Sequence, residues 1–130
     1  MDERERHKAG MQVRKSVLGD EHVQRAEAAS NDFDADFQDL ITRYAWGEIW
    51  TRPGLPRHTR SLLTIGLMVA LNRGEELRLH LRAAAKNGVT AEEVREVLLH
   101  CAIYCGVPAA NAAFHAAKEV LIDQESDGKL

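Results

Sequence analysis

Residues 77–115 read LRLHLRAAAKNGVTAEEVREVLLHCAIYCGVPAANAAFH, and the punctuation of this stretch decides the fold. Leu77, Leu81, Ala84 and Ala85 recur at the spacing that lines one face of a helix, which predicts a helix over 75–87. Gly88 follows as a stop, because a glycine just past a helix end accepts the left-handed conformation at no steric cost. Thr90-Ala-Glu-Glu93 is a capping box: the Thr hydroxyl and the Glu carboxylate each satisfy one of the N–H groups a helix start leaves open. It opens a second helix over 91–105. Gly106 breaks that helix and Pro108 restarts a third, which runs to about 123 and carries Ala109, Ala110, Ala112 and Ala113, small enough for tight helix packing.

Outward from this stretch the same pattern continues. The polar tail 124–130 is expected to fray. Upstream, 72–74 is a short break, and Pro56 suits the first turn of a helix ending near 71. Positions 62–71 of that helix are apolar on nearly every face, more than one small domain covers, so a subunit interface is expected there. Gly66, in the middle of it, costs about 1 kcal/mol relative to Ala, which close approach of another helix would offset. The segment 47–55 is a turn marked by Pro53 and Gly54. Before it, a helix over 34–46 puts Phe37, Leu40, Ile41 and Tyr44 on one face, and another is expected over 20–29 with Asp20 as its N-cap. No segment alternates with β-branched enrichment. The reading is one all-α domain of about six helices over 1–130, with its core over 17–123 and polar ends.

Composition narrows the function. A net charge of −3, with no basic run beyond two or three residues and only 5% aromatics, argues against nucleic acid as partner. No apolar run approaches the roughly 18 residues of a membrane span, and the polar start MDERERHKAG has no apolar signal core, so a cytoplasmic location is expected. Cys101 and Cys105, spaced C-x3-C in an apolar stretch, read as buried thiols and not as a redox C-x-x-C pair. Metal-site spacings and phosphate-binding glycine loops are absent, so neither a metal nor a cofactor is expected.

Three places carry side chains suited to chemistry. His80 shares its face with Leu77, Leu81, Ala84 and Ala85; it is either a core histidine or a partly desolvated imidazole able to move a proton near neutral pH, with Glu76 one turn away. The run Arg43-Tyr44-Ala45-Trp46-Gly47-Glu48-Ile49-Trp50-Thr51-Arg52 sets an acid between two tryptophans, either a plug of the core or a water-poor pocket wall in which a carboxyl becomes a proton donor. Arg57-His58-Thr59-Arg60 falls at a helix start, where open backbone N–H groups favour an anion; the bland alternative is a solvated turn. His115, on the alanine-rich helix, reads as a packed structural residue.

The run FQDLITRYAWGEIWTRPGLPRHTRSLLTIGLMVAL over 37–71, followed by the stretch 77–115, resembles the carboxymuconolactone decarboxylase family of the alkylhydroperoxidase-D-like superfamily over about 17–121. The wider superfamily shares the pattern H-x7-G-x-T-x-x-E, here His80, Gly88, Thr90 and Glu93. Its thiol peroxidases carry cysteines seven and four residues before the histidine, where this chain has Arg73 and Glu76, so the redox branch lacks both thiols. The resemblance implies an all-helical fold forming homo-oligomers, trimers or hexamers. It also implies cofactor-free decarboxylation of 4-carboxymuconolactone in protocatechuate breakdown. Arg52, Arg57, Arg60 and His58 would then hold substrate carboxylates, Tyr44, Trp46 and Trp50 would keep water out, and His80 and Glu48 would share the oxyanion and proton work. A redox enzyme of the superfamily and a non-catalytic helical module remain the competing readings.

Overall fold

The computed structural model describes residues 1–126, with side chains through Gln124, and divides into two compact units, Met1–Pro56 and the chain from Arg57 onward. All regular structure among the described residues is helical: α1 (Glu3–Leu18), α2 (Asp20–Ala29), α3 (Ala35–Ile41), a π-helix (Thr42–Ile49), α4 (Arg57–Ala70), α5 (Gly74–Ala83), a 3₁₀ turn (Ala84–Asn87), α6 (Ala91–Tyr104) and α7 (Val107–Ser126). None of these helices is long and apolar enough to cross a membrane.

The second unit follows the sequence closely. Ile65 and Val69 from α4, Leu77 and Leu81 from α5, Val94 and Leu98 from α6, and Ala113, Ala116, Ala117 and Val120 from α7 form one apolar core. The alanines let α7 lie close to its neighbours. Gly88 takes the left-handed conformation at φ 80°, and the capping box forms as read: Glu93 N donates to Thr90 Oγ1 at 3.1 Å and Thr90 N to Glu93 Oε1 at 3.0 Å. On α4, Leu63, Leu67 and Leu71 lie outside this core, each about half exposed within the chain. Gly66 has room for a methyl group, 3.9 Å from Val97 Cγ1, so no close helix approach within the unit explains it. His115 lies exposed on α7 and is not packed. The last helix continues to Ser126, beyond the expected end near 123; of the tail expected to fray, 127–130 lie outside the described residues.

The first unit differs from its sequence reading in three ways. The charged start of the chain forms α1, capped by Asp2, whose carboxylate accepts from Glu5 N at 2.8 Å. Gly19, and not Asp20, occupies the cap position of α2. The helix expected to end at 46 runs on as a π-helix to Ile49. Its contact with α1 is made backbone to backbone. A β-carbon on Gly10 would stand 1.9 Å from the Thr42 carbonyl oxygen, and one on Gly47 would stand 2.4 Å from that of Arg6. Two glycines thus permit an approach that any other residue would block. Arg14 is buried beneath, its fork donating to Thr42 Oγ1 at 3.3 Å and Gln38 Oε1 at 3.1 Å. The face formed by Phe37, Leu40 and Tyr44 stays exposed within the chain.

Candidate active site

In the first unit the π-helix presents Tyr44, Trp46 and Glu48, with Trp50 at its C-cap and Arg52 just beyond. Trp46 is buried and meets Trp50 in a tilted pair, ring centroids 5.1 Å apart and planes at 33°. Residues four apart share a side of the helix, so Glu48, midway between them, leaves on the other side. There its Oε2 accepts from Arg6 Nη1 at 2.5 Å and its Oε1 faces Arg52 Nη1 at 3.7 Å, with 44% of the side chain accessible. The expected water-poor setting between two tryptophans is therefore corrected within this chain: two guanidinium groups bracket the carboxylate.

Arg6 belongs to a network that sequence reading missed. Glu3 Oε1 accepts from Arg6 Nε at 3.2 Å, and Glu3 Oε2 from Arg43 Nη1 at 2.6 Å and from the Tyr44 hydroxyl at 2.8 Å. Both Arg6 and Arg43 also lie over the Tyr44 ring, 5.3 and 5.2 Å from its centroid. The Arg43 and Tyr44 donors hold the Glu3 carboxyl below the usual carboxylate range. Nothing in a run of polar residues at the chain start signals these partners; they follow from the approach of Gly10 to Gly47.

In the second unit Arg57, His58 and Arg60 occupy the first turn of α4, with Arg57 exposed and His58 and Arg60 half-buried. The expected helix start, with its outward backbone N–H groups, is present. His58 Nε2 lies 2.7 Å from Glu93 Oε2. Both oxygens of Glu93 are thus in use, one closing the capping box and one on the imidazole. The Thr90 N–H foremost, with the His58 ring adding to it against some loss of hydration, holds the Glu93 carboxyl below its ordinary 4.5. The capping box was legible in the sequence, whereas the second bond, across 35 residues, was not.

His80 is half-buried on α5 between the buried Leu77 and Leu81, consistent with the predicted face. An open groove of about 700 Å³ runs between α4 and α6, lined by Leu63, Leu67, Thr90, Glu93, Val97 and His100 among others. His58 and His80 are not among its lining residues, although Glu93 is. Cys101 is buried and Cys105 half-buried on α6; burial, with Cys105 as a close neighbour, pushes the Cys101 thiol up, as suits an inert thiol. Among the described residues no group of three His, Cys, Asp or Glu is placed to hold a metal ion.

Known proteins extend this picture. Residues 35–119 match the model of the carboxymuconolactone decarboxylase family. The chain is 56% identical over 123 residues to a 4-carboxymuconolactone decarboxylase of Acinetobacter baylyi, covering 95% of this chain and 92% of that one. It is 45% identical over 120 residues to a nitrosuccinic acid decarboxylase of Metarhizium robertsii, covering 92% of this chain and 84% of that one.

Proposed function

The chain belongs to the carboxymuconolactone decarboxylase family, and from that membership we propose that it is a carboxy-lyase converting 4-carboxymuconolactone to 3-oxoadipate enol-lactone and CO2 in protocatechuate breakdown. The observation that carries the proposal is the 56% identity to a decarboxylase of that name across 95% of the chain.

The chemistry asks little of a protein beyond placement. When the C–CO2 bond breaks, its electron pair stays on the ring carbon and spreads through the C=C bond to the lactone carbonyl oxygen. The substrate is its own electron sink, so the reaction needs no cofactor in this reading. The protein must hold a dianion, exclude water from the departing carboxylate, and stabilise and protonate the dienolate.

Arg57, His58 and Arg60 at the α4 start, with Arg52, take the carboxylates; a guanidinium fork matches a carboxylate in two-point fashion. Tyr44, Trp46 and Trp50 form the apolar wall. His80, half-buried among leucines, delivers the proton, and Glu48, already an acceptor for Arg6, orients donors at the developing oxyanion. These residue roles are part of the proposal. So is assembly into trimers or hexamers in the cytoplasm, supported by the exposed Leu63, Leu67 and Leu71 of α4 and Ile103 and Tyr104 of α6.

The test is incubation with the lactone, following its ultraviolet absorbance and the CO2 released. His80→Gln and Glu48→Gln are each expected to lower kcat by about 10²- to 10⁴-fold, and the double variant by less than the product if they act as one unit. Near-normal kcat in His80→Gln would remove it from the mechanism. The relative that acts on nitrosuccinic acid favours one second substrate class. In that acid the leaving carboxylate and a nitro group share a carbon, so the nitro group takes up the electron pair. The same assay with that acid tells the two apart.

A further inference from the structure

The bond between His58 and Glu93 joins a residue expected to hold substrate to one that caps a helix. A carboxylate oxygen accepts and cannot donate, so an imidazole nitrogen 2.7 Å from Glu93 Oε2 must carry the hydrogen. That fixes Nε2–H as the donor and leaves Nδ1, on the other edge of the ring, as the nitrogen that can meet a ligand.

The surroundings of this bond are fixed as well. The ring Cδ2 lies beside the left-handed Gly88 turn, 3.9 Å from where a β-carbon would stand. Glu93 itself cannot swing away without opening the capping box, because its Oε1 accepts the Thr90 N–H. The start of α6 thus fixes one side chain of α4.

We propose that Glu93 is a positioning residue for the decarboxylase site: it holds His58 so that the ring, protonated at both nitrogens, bridges Glu93 through Nε2 and a substrate carboxylate through Nδ1. This rests on the reading that the α4 start receives the substrate. A carboxylate ligand at Nδ1 calls for a hydrogen there too, so the site offers a charge-assisted bond in a set direction. Arg57 and Arg60 add charge to the same turn, while the direction comes from His58. Glu93 takes no part in bond making or breaking. Its effect reaches the substrate only through His58, and falls on binding.

Two measurements decide the matter. Long-range ¹H–¹⁵N spectra of the substrate-free protein, at a pH where the ring is neutral, are expected to show the His58 proton on Nε2. Glu93→Gln is expected to lose that preference and Thr90→Ala, which removes only the cap hydroxyl, to keep it. With the lactone, Glu93→Gln is expected to raise KM by about tenfold, the scale of one charge-assisted bond, with kcat nearly unchanged. Thr90→Ala is expected to leave KM near the parent value. A proton on Nδ1 in the parent protein overturns the inference whether or not either variant folds. A KM rise in Thr90→Ala equal to that in Glu93→Gln reduces Glu93 to a helix cap and overturns it as well. A parent protein inactive on the lactone overturns instead the reading of function, a result that the spectra do not share.

Discussion

The two units hold their candidate side chains by different means. In the unit Met1–Pro56 the buried apolar side chains are few: Val13, Val17, Leu18, Val23 and Trp46. Distant parts of its chain are joined instead by charged and polar pairs, Arg6 to Glu48, Arg43 and Tyr44 to Glu3, and Arg14 to Thr42 and Gln38, around a backbone contact at two glycines. From Arg57 onward a continuous apolar core spans four helices, and the polar ties, His58 to Glu93 and Arg78 to Glu119, join helices that this core already holds together. Burial fixes where a helix lies, and a charge network fixes where a head group points. The first unit therefore sets Glu48 by electrostatics, while the second carries His80 on a helix fixed by packing.

That contrast can be broken from either side. The largest effect is expected from Leu98→Ala, which empties a fully buried position of the second core and should cost about 2–5 kcal/mol in urea unfolding followed by far-ultraviolet circular dichroism. A cost under about 1 kcal/mol would mean that this core is not what holds the unit. Gly10→Ala comes next. Its methyl group meets the Thr42 carbonyl at 1.9 Å, and overpacking of this kind costs about 1–3 kcal/mol or somewhat more. Trp46 and Trp50 both belong to the first unit, so tryptophan fluorescence should register the loss, and Leu98→Ala should disturb that signal less.

Acid gives the smallest effect and sharpens the contrast. The Glu3 carboxyl is held below its ordinary 4.5 by Arg43 and Tyr44. A depressed carboxyl stabilises the fold above its unfolded value and loses that contribution as pH falls through the folded one. Titration below pH 4.5 should thus weaken the first unit progressively, and added salt should weaken its exposed pairs at neutral pH. Unchanged fluorescence from pH 6 to about 3 would show the Glu3 network to be incidental.

The same contrast explains what could be read from sequence. Gly88, Thr90, Glu93, Gly106 and Pro108 act locally, each fixing a helix end through its own backbone or its next three residues, so the second unit was legible almost to the residue. α1 was not. Its packing rests on the approach of Gly10 to Gly47, 37 positions away, and a polar sequence gives no sign of that. The π-helix was equally silent, because one inserted residue per turn changes no residue type. His80 fell on the face that periodicity assigned. Glu48 did not fall between the tryptophans, since adjacency in sequence is not adjacency around a helix. Glu93 was seen for one of its oxygens only.

The Gly10–Gly47 contact also bears on how this chain can drift in sequence. The obstacle to a side chain at either position is a carbonyl oxygen of the main chain, Thr42 in one case and Arg6 in the other. A clash with a side chain can be relieved by trimming that side chain, so a second mutation can rescue the first. A clash with the backbone offers nothing to trim, because every amino acid brings the same oxygen. In a saturation library both positions should behave as near-absolute constraints with almost no compensating partners. Glu48 and Arg6, a few atoms away, should instead tolerate or reject substitutions as a pair.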